Sequence, residues 1–206
     1  MRQAAWAVVL IRELQARETV EAAGVLSRGM RDNPNNVAAW RMNAGRRQHA
    51  LARFFSRVLD GLLVRGCVLG AFDDHQLVGV CGMAPPGQCQ PGAVEKLTVV
   101  PSLLVGSPMV AIRVLKWVAE WAQRDLVQPH WHLGPVAVDT DRQGQGIGSR
   151  LLAEFCSRMD AKRATGYLET DKSQNVAFYR KYGFALEGEG EVLGAPNWYM
   201  TRRPAA

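Results

Sequence analysis

Apolar positions along this chain change period several times, and each change predicts an element. Alternation from Trp6 to Leu14 reads as a first strand. Ala22, Val25, Leu26 and Gly29 then recur at helical spacing. Thr19 is expected to cap that helix, with Glu21 near the positive end of its dipole and RDNPNN (31–36) ending it. A longer stripe follows, with Leu51, Phe54, Phe55, Val58, Leu59 and Leu62 at offsets of 0, 3, 4, 7, 8 and 11. That spacing puts all of them on one helical face.

Gly66 to Phe72 and Leu77 to Met83 predict two strands joined across the polar turn DDHQ as a hairpin. PPGQCQPG (85–92) reads as an irregular connection and the best candidate for a mobile or functional loop. Ser107-Pro108 opens another helix with proline in its first turn. Its face of Val110, Val114, Trp117, Val118 and Trp121 is read as core packing. His130–Val138 predicts a strand, Ile147–Met159 a helix and Gly166–Thr170 a short strand. Asn175–Tyr182 predicts a short helix stopped by Gly183 as a left-handed cap, before strands at Phe184–Glu189 and Trp198–Thr201. The order implies a mixed sheet covered by helices, in one domain spanning 1–206.

Composition narrows the class. The 206 residues, 48% hydrophobic and 21% charged, suit a globular chain with a substantial core. No apolar run approaches the roughly 20 residues of a membrane helix. Arg12 and Glu13 follow the first apolar run without a small-residue cleavage site, which favours a strand over a signal peptide. The four cysteines (Cys67, Cys81, Cys89 and Cys156) form no C-x-x-C pair. Neither a disulfide framework nor a metal site is expected from that spacing, and a cytoplasmic location fits. A net charge of +6 suits an anionic partner such as nucleic acid, a membrane surface or a phosphorylated cofactor. Arg41, Arg46, Arg47, Arg53 and Arg57 are either a binding patch or the solvated face of a helix, and the second is the ordinary outcome.

The chemistry concentrates in VAVDTDRQGQGIGSRLL, residues 136–152. Gly144, Gly146 and Gly148 sit between a strand and a helix, where unpaired backbone N–H groups and the helix dipole favour an anion. Glycines let such a loop curl its amides into a nest for phosphate. A phosphate-binding P-loop would require Gly-Lys-Ser/Thr, and no lysine follows. A dinucleotide fingerprint would place its third glycine where Ser149 stands.

What fits is Gln143-x-x-Gly146-x-Gly148, which resembles the Q/R-x-x-G-x-G/A signature of the GNAT acetyltransferases. GYLETDKSQNVAFYRKYGF (166–184) is similar to the later motif of that family: a strand, an asparagine, an aromatic-Tyr pair on a short helix, then Gly-Phe. WHLGPVAV, QGQGIGS, LETD, FYRKYGF and WYMTRRP most resemble the puromycin N-acetyltransferase type over residues 130–203. The resemblance implies an α+β GNAT-like fold, a central, mostly antiparallel mixed sheet of about six to seven strands flanked by helices. It also implies acetyl-CoA as donor and a primary amine, of a small molecule, as acceptor.

Carried over residue by residue, the resemblance implies that the strand segment Val136, Ala137 and Val138 receives the pantetheine arm, with Val136 and Val138 offering backbone groups. Gln143, Gly144, Gln145, Gly146, Ile147 and Gly148 would hold the pyrophosphate, with Arg142 and Ser149 beside them in the cofactor-binding set. Asn175 would help hold the cofactor, and Tyr179 would be the general acid. Gln145 replaces the Lys or Arg common in the family, a charge that Arg142 or Arg150 would restore.

The implied reaction is attack of a neutral amine on the thioester, with backbone donors near Val138 facing the oxyanion. Glu169, at the end of a strand beside the site, is the candidate base, with a water chain as the other route; a surface carboxylate or a structural hydrogen-bonding role is its alternative. His130 and His132 share a strand face and read as strand histidines. The implied partners are a small-molecule amine acceptor, no membrane and no nucleic acid, in a monomer or homodimer. A non-catalytic acyl-CoA sensor and a nucleic-acid surface on the arginine segment are the competing functions.

Overall fold

The structure, a computed structural model, describes residues 9–90, 92–104 and 107–204. Its sheet contains β1 (Leu10–Glu13), β2 (Cys67–Asp73), β3 (Gln76–Ala84), β4 (Trp131–Val138), β5 (Gly166–Thr170), β6 (Ala185–Val192) and β7 (Ala195–Arg202). The spatial order is β1-β2-β3-β4-β5-β7-β6. All neighbours are antiparallel except β4 and β5, as expected of a mostly antiparallel α+β sheet. Of the strand expected from Trp6, residues 6–8 lie outside the described residues.

Five helices cover one face: α1 (Thr19–Gly29), α2 (Pro34–Trp40), α3 (Ala44–Arg65), α4 (Ala93–Leu104) and α5 (Pro108–Arg124). On the other face lie α6 (Ile147–Ala161) and α7 (Ser173–Arg180). Alternating strand side chains feed the two cores, so Val80 joins the first and Cys81 the second. The α3 stripe anchors the first core: Leu51, Leu59 and Leu62 are at most 1% exposed and each contributes about 1.5–3 kcal/mol. Its neighbours Phe54 and Val58 are only half-buried, because the stripe is wider than the core beneath it.

Local chemistry departs from expectation in three places. Thr19 does not cap α1; it is the first helical residue, and its hydroxyl donates to the Ala16 carbonyl at 2.8 Å. Glu18 holds the cap position, and its carboxylate takes the Gln15 N–H at 2.8 Å. RDNPNN does not merely stop a helix; it starts α2, with Pro34 in the first turn. The stretch after PPGQCQPG forms α4 around an internal Pro101. Arg65 ties α4 to α3 by a 3.0 Å ion pair to Glu95. Gly61 makes the approach possible, since a Cβ there would lie 2.4 Å from the Glu95 carboxyl.

Of the arginine segment, Arg41, Arg46, Arg53 and Arg57 are exposed and Arg47 serves the fold. Arg47 is buried and bonds the carbonyls of Arg31 and Met42 and the carboxylate of Asp32. Among the described residues, no helix is long and apolar enough to cross a membrane.

Candidate active site

The parallel pair β4 and β5 meets at two positions only, Trp131 with Gly166 and His132 with Tyr167. Beyond them the strands diverge, leaving a seam in the sheet. The Asp139 N–H bonds the Val78 carbonyl, and Ala137 pairs with Val80. Antiparallel alternation therefore turns the backbone groups of Val136 and Val138 away from β3, toward the seam. Ala137 departs from the expected set. Its backbone belongs to the β3 ladder and its buried side chain packs where α1 approaches at Gly29.

At the seam's end, Gly144 (φ 76°) and Gly146 (φ 80°) adopt the left-handed conformation that glycine tolerates best. Gly146 is the cap of α6, so the N–H groups of Ile147, Gly148 and Ser149 fall in a first turn without helical partners. The Ile147 side chain is buried in the core, so only its backbone faces the loop. Gly148 lies beside Val138 and Phe178, which draws β4, α6 and α7 together at one corner. Gln143 donates to the Val138 carbonyl at 3.1 Å, and Gln145 to the Asp141 carbonyl at 3.3 Å. Arg142 is committed to Asp73 at 2.9 Å, and Arg150 reaches the Val9 carbonyl at 3.3 Å. Both guanidiniums therefore have protein partners. An anion placed at this loop would meet its backbone amides and the helix dipole.

Across the seam, α7 carries Asn175 and Tyr179 one turn apart. Asn175 donates to the Thr170 hydroxyl at 3.0 Å, which fixes α7 to the end of β5. Tyr179 is 8% exposed, and burial pushes its phenol well above the ordinary value. Glu169, with a side chain 1% exposed, has Oε2 2.6 Å from His132 Nε2, while its Oε1 has no partner. Burial works against a charged His132, but the charge and hydrogen bond of Glu169 outweigh it and raise its pKa. His130 and His132 do share a face, both against the Tyr167 ring. Neither is an idle strand histidine, because each meets a carboxylate: Glu169 for His132, Asp125 for His130.

Of these groups, His132, Glu169, Asn175 and Tyr179 border one cavity of about 270 Å³. Its polar end holds His132, Glu169, Asp171, Asn175 and Tyr179. Phe54, Val58, Leu103, Trp117, Val118 and Trp121 form apolar walls. Trp117 packs against the first core, as expected of α5, and both Trp117 and Trp121 also line the cavity.

A scan against family models matches residues 35–184 to the Acetyltransferase (GNAT) family. The chain belongs to the GNAT family. A curated GNAT relative, the peptidyl-lysine N-acetyltransferase YjaB of Salmonella typhimurium, is 37% identical over 67 residues. That stretch covers 32% of this chain and 45% of the relative, so less than half the relative's length is matched. Solved folds agree over nearly the whole chain. A histone acetyltransferase HPA2 and related acetyltransferase from Corynebacterium glutamicum aligns with TM-score 0.70 at 19% identity, covering 96% of this chain and 97% of that one. A GNAT acetyltransferase from Brucella melitensis in complex with acetyl-CoA aligns with TM-score 0.52 at 18% identity, covering 97% and 90%.

Three features of this GNAT site escaped the sequence. Asn33, at the cap of α2, and Asn36 within it line the cavity, and the side-chain oxygen of each is buried without a partner. The Asn-Pro pair at Asn33-Pro34, a cap followed by a first-turn proline, was the available signal for α2. Asp171 accepts the Asn35 N–H at 2.9 Å and the Asn33 side chain at 3.4 Å, stitching α2 to the end of β5. Lastly, residue spacing offered no metal-ligand group, yet folding converges Cys89, Asp125 and His130 within 4.8 Å of one another. Asp125 raises the His130 pKa to about 10 despite burial.

Proposed function

We propose that this GNAT chain transfers the acetyl group of acetyl-CoA to the primary amine of a small molecule, by direct attack within a ternary complex. The observation that carries the reading is that Glu169, Asn175 and Tyr179 border the same cavity as the apolar walls of α3 and α5. Donor and acceptor would meet across the seam. The backbone of Val136 and Val138 would receive the pantetheine arm, and the amides from Gln143 to Ser149 the pyrophosphate. Asn175 holds the end of β5 beside the arm.

In this reading the amine enters from the apolar side, and its ammonium meets Glu169 Oε1. Glu169 takes the proton, with His132 holding the carboxylate by its other oxygen. The neutral amine attacks the thioester carbonyl, and the N–H of Val138 faces the oxyanion. As the C–S bond breaks, Tyr179 donates a hydrogen bond to the departing sulfur, and the second proton of the new amide nitrogen passes to that thiolate. An ordinary phenol near 10 against a thiol near 8.5 makes full transfer uphill by about 2 kcal/mol, and burial of Tyr179 steepens it. Hydrogen-bond donation therefore describes its role better than complete transfer.

The likeness to the puromycin type and the apolar walls support a compact acceptor with a hydrophobic body. A volume of about 270 Å³ is near the low end for small-ligand pockets. A lysine side chain of a protein is the second reading, favoured by the peptidyl-lysine N-acetyltransferase relative. The deciding experiment is a thiol-release screen with acetyl-CoA over an amine library that includes puromycin and lysine peptides. Turnover of a small aryl or alkyl amine above the peptides supports the proposal. Preference for peptides installs the second reading, and acetyl-CoA binding with no acetylated amine would make the chain a sensor.

A further inference from the structure

We propose that Cys89, Asp125 and His130 form a binding site for a zinc-type divalent cation that clamps the 85–92 connection to the sheet. The three residues come from separate places: that connection, the end of α5 and the entry to β4. Cys89 Sγ lies 3.4 Å from His130 Nε2, and Asp125 Oδ1 lies 2.8 Å from the same nitrogen. The ligand atoms of all three lie within 4.8 Å of one another.

The surrounding hydrogen bonds aim these atoms inward. His130 Nδ1 is engaged by the Gln128 carbonyl at 2.9 Å, which leaves Nε2 as the ligand nitrogen. The second oxygen of Asp125 takes the Gln90 side-chain amide at 3.0 Å, while Oδ1, which also accepts the Leu126 N–H at 3.1 Å, faces His130. His130 Nε2 meets Asp125 at 2.8 Å and the Cys89 thiol also reaches the carbonyls of Pro85 and His130, while a cation among the three would take Sγ, Nε2 and Oδ1 together as ligands. Bond lengths near 2.3 Å to sulfur and about 2.0–2.2 Å to nitrogen and oxygen separate tetrahedral ligands by roughly 3.3–3.7 Å. The sulfur–nitrogen pair already has that spacing, and the nitrogen–oxygen pair needs to open by about half an ångström.

A thiol, an imidazole and a carboxylate together suit zinc over magnesium or calcium, which prefer oxygen alone. Binding replaces the His130 Nε2 proton and the Cys89 thiol proton, so two protons leave for each ion bound. The fourth position is left for water. Since Cys89 and Gln90 line the cavity, the ion would fix one of its walls without entering the acyl-transfer chemistry.

The test is a zinc titration of chelator-stripped full-length protein, read by competition with a chromophoric chelator, alongside the cobalt spectrum. One ion per chain, held tighter than about 1 μM, is expected. Cobalt should give a thiolate charge-transfer band. Cys89→Ser should abolish that band and weaken zinc more than about 100-fold. Gln90→Ala, which removes only a supporting bond and keeps every ligand, should weaken it by roughly 10-fold. Cys67→Ser should change neither. Absence of stoichiometric binding, or binding that persists equally in Cys89→Ser and Asp125→Asn, overturns the site.

Discussion

Nε2 of His132 lies 2.6 Å from Oε2 of Glu169, across the two-residue contact that joins β4 to β5. The Glu169 side chain is buried and His132 partly so, and only one carboxylate oxygen is engaged by the ring. Glu169→Gln should lower turnover by about 10²-fold, as expected for loss of a general base, with acetyl-CoA affinity unchanged. Steady-state kinetics with a calorimetric titration of the donor check both halves.

The same pair has a signed pH signature. The folded-state pKa of His132 is raised, so its ionic contribution to stability is complete below the unfolded value of about 6.5. It is lost as pH rises through the raised value. The melting temperature gap between wild type and His132→Gln should therefore be widest near about pH 6 and narrow in the alkaline range.

Tyr179→Phe removes a hydroxyl from a buried ring and keeps its packing against Phe178 and Phe184. Turnover should fall about 10²-fold, while KM for acetyl-CoA stays within about twofold. Wild-type turnover in this variant would remove Tyr179 from the mechanism.

Gly146→Val forces a β-branched side chain to φ 80°, at a cost of about 1–3 kcal/mol. The larger loss should be in donor binding, because the added side chain stands over the amides of the loop. Calorimetry with CoA should show affinity down more than tenfold in a protein that still melts cooperatively.

Asp139 is held below its ordinary pKa by hydrogen bonds from Arg28, which tie α1 to the start of the glycine loop. A depressed carboxylate contributes stability above its unfolded pKa of about 3.9 and loses it as pH falls through the folded value. Asp139→Asn should be destabilised at neutral pH and converge with wild type on acidification, followed by thermal melts across pH.

Val58→Trp tests which side the acceptor occupies. Val58 is half-buried on the cavity edge of α3, so the larger ring should fill apolar space with little effect on the core. KM for the amine should rise at least about tenfold while that for acetyl-CoA holds.

Elements with a clean period were legible from residues alone: the α3 stripe, the β2–β3 hairpin, Ser107-Pro108 at α5 and the Gly166–Thr170 strand. The glycine loop and α7 were legible because their chemistry is local in sequence. Helices α2 and α4 were hidden by Asn and Pro, which punctuate sequence whether they end a helix or begin one. The cavity-facing role of Trp117 and Trp121 was also hidden, since an apolar stripe looks the same against core or cavity. Pairings such as Asp171 with Asn33, 138 residues apart, depend on tertiary closure and leave no local trace.

The narrow contact between β4 and β5 has a consequence for the molecule's life before it meets a substrate. Past His132 the two strands present inward-facing edges, the kind of unpaired backbone that invites a foreign strand. Packing of α1 on β4 and of α7 on β5 limits access to those edges. Loosening those helices should therefore produce aggregation before it produces simple unfolding, and donor bound in the seam should suppress it by mass action.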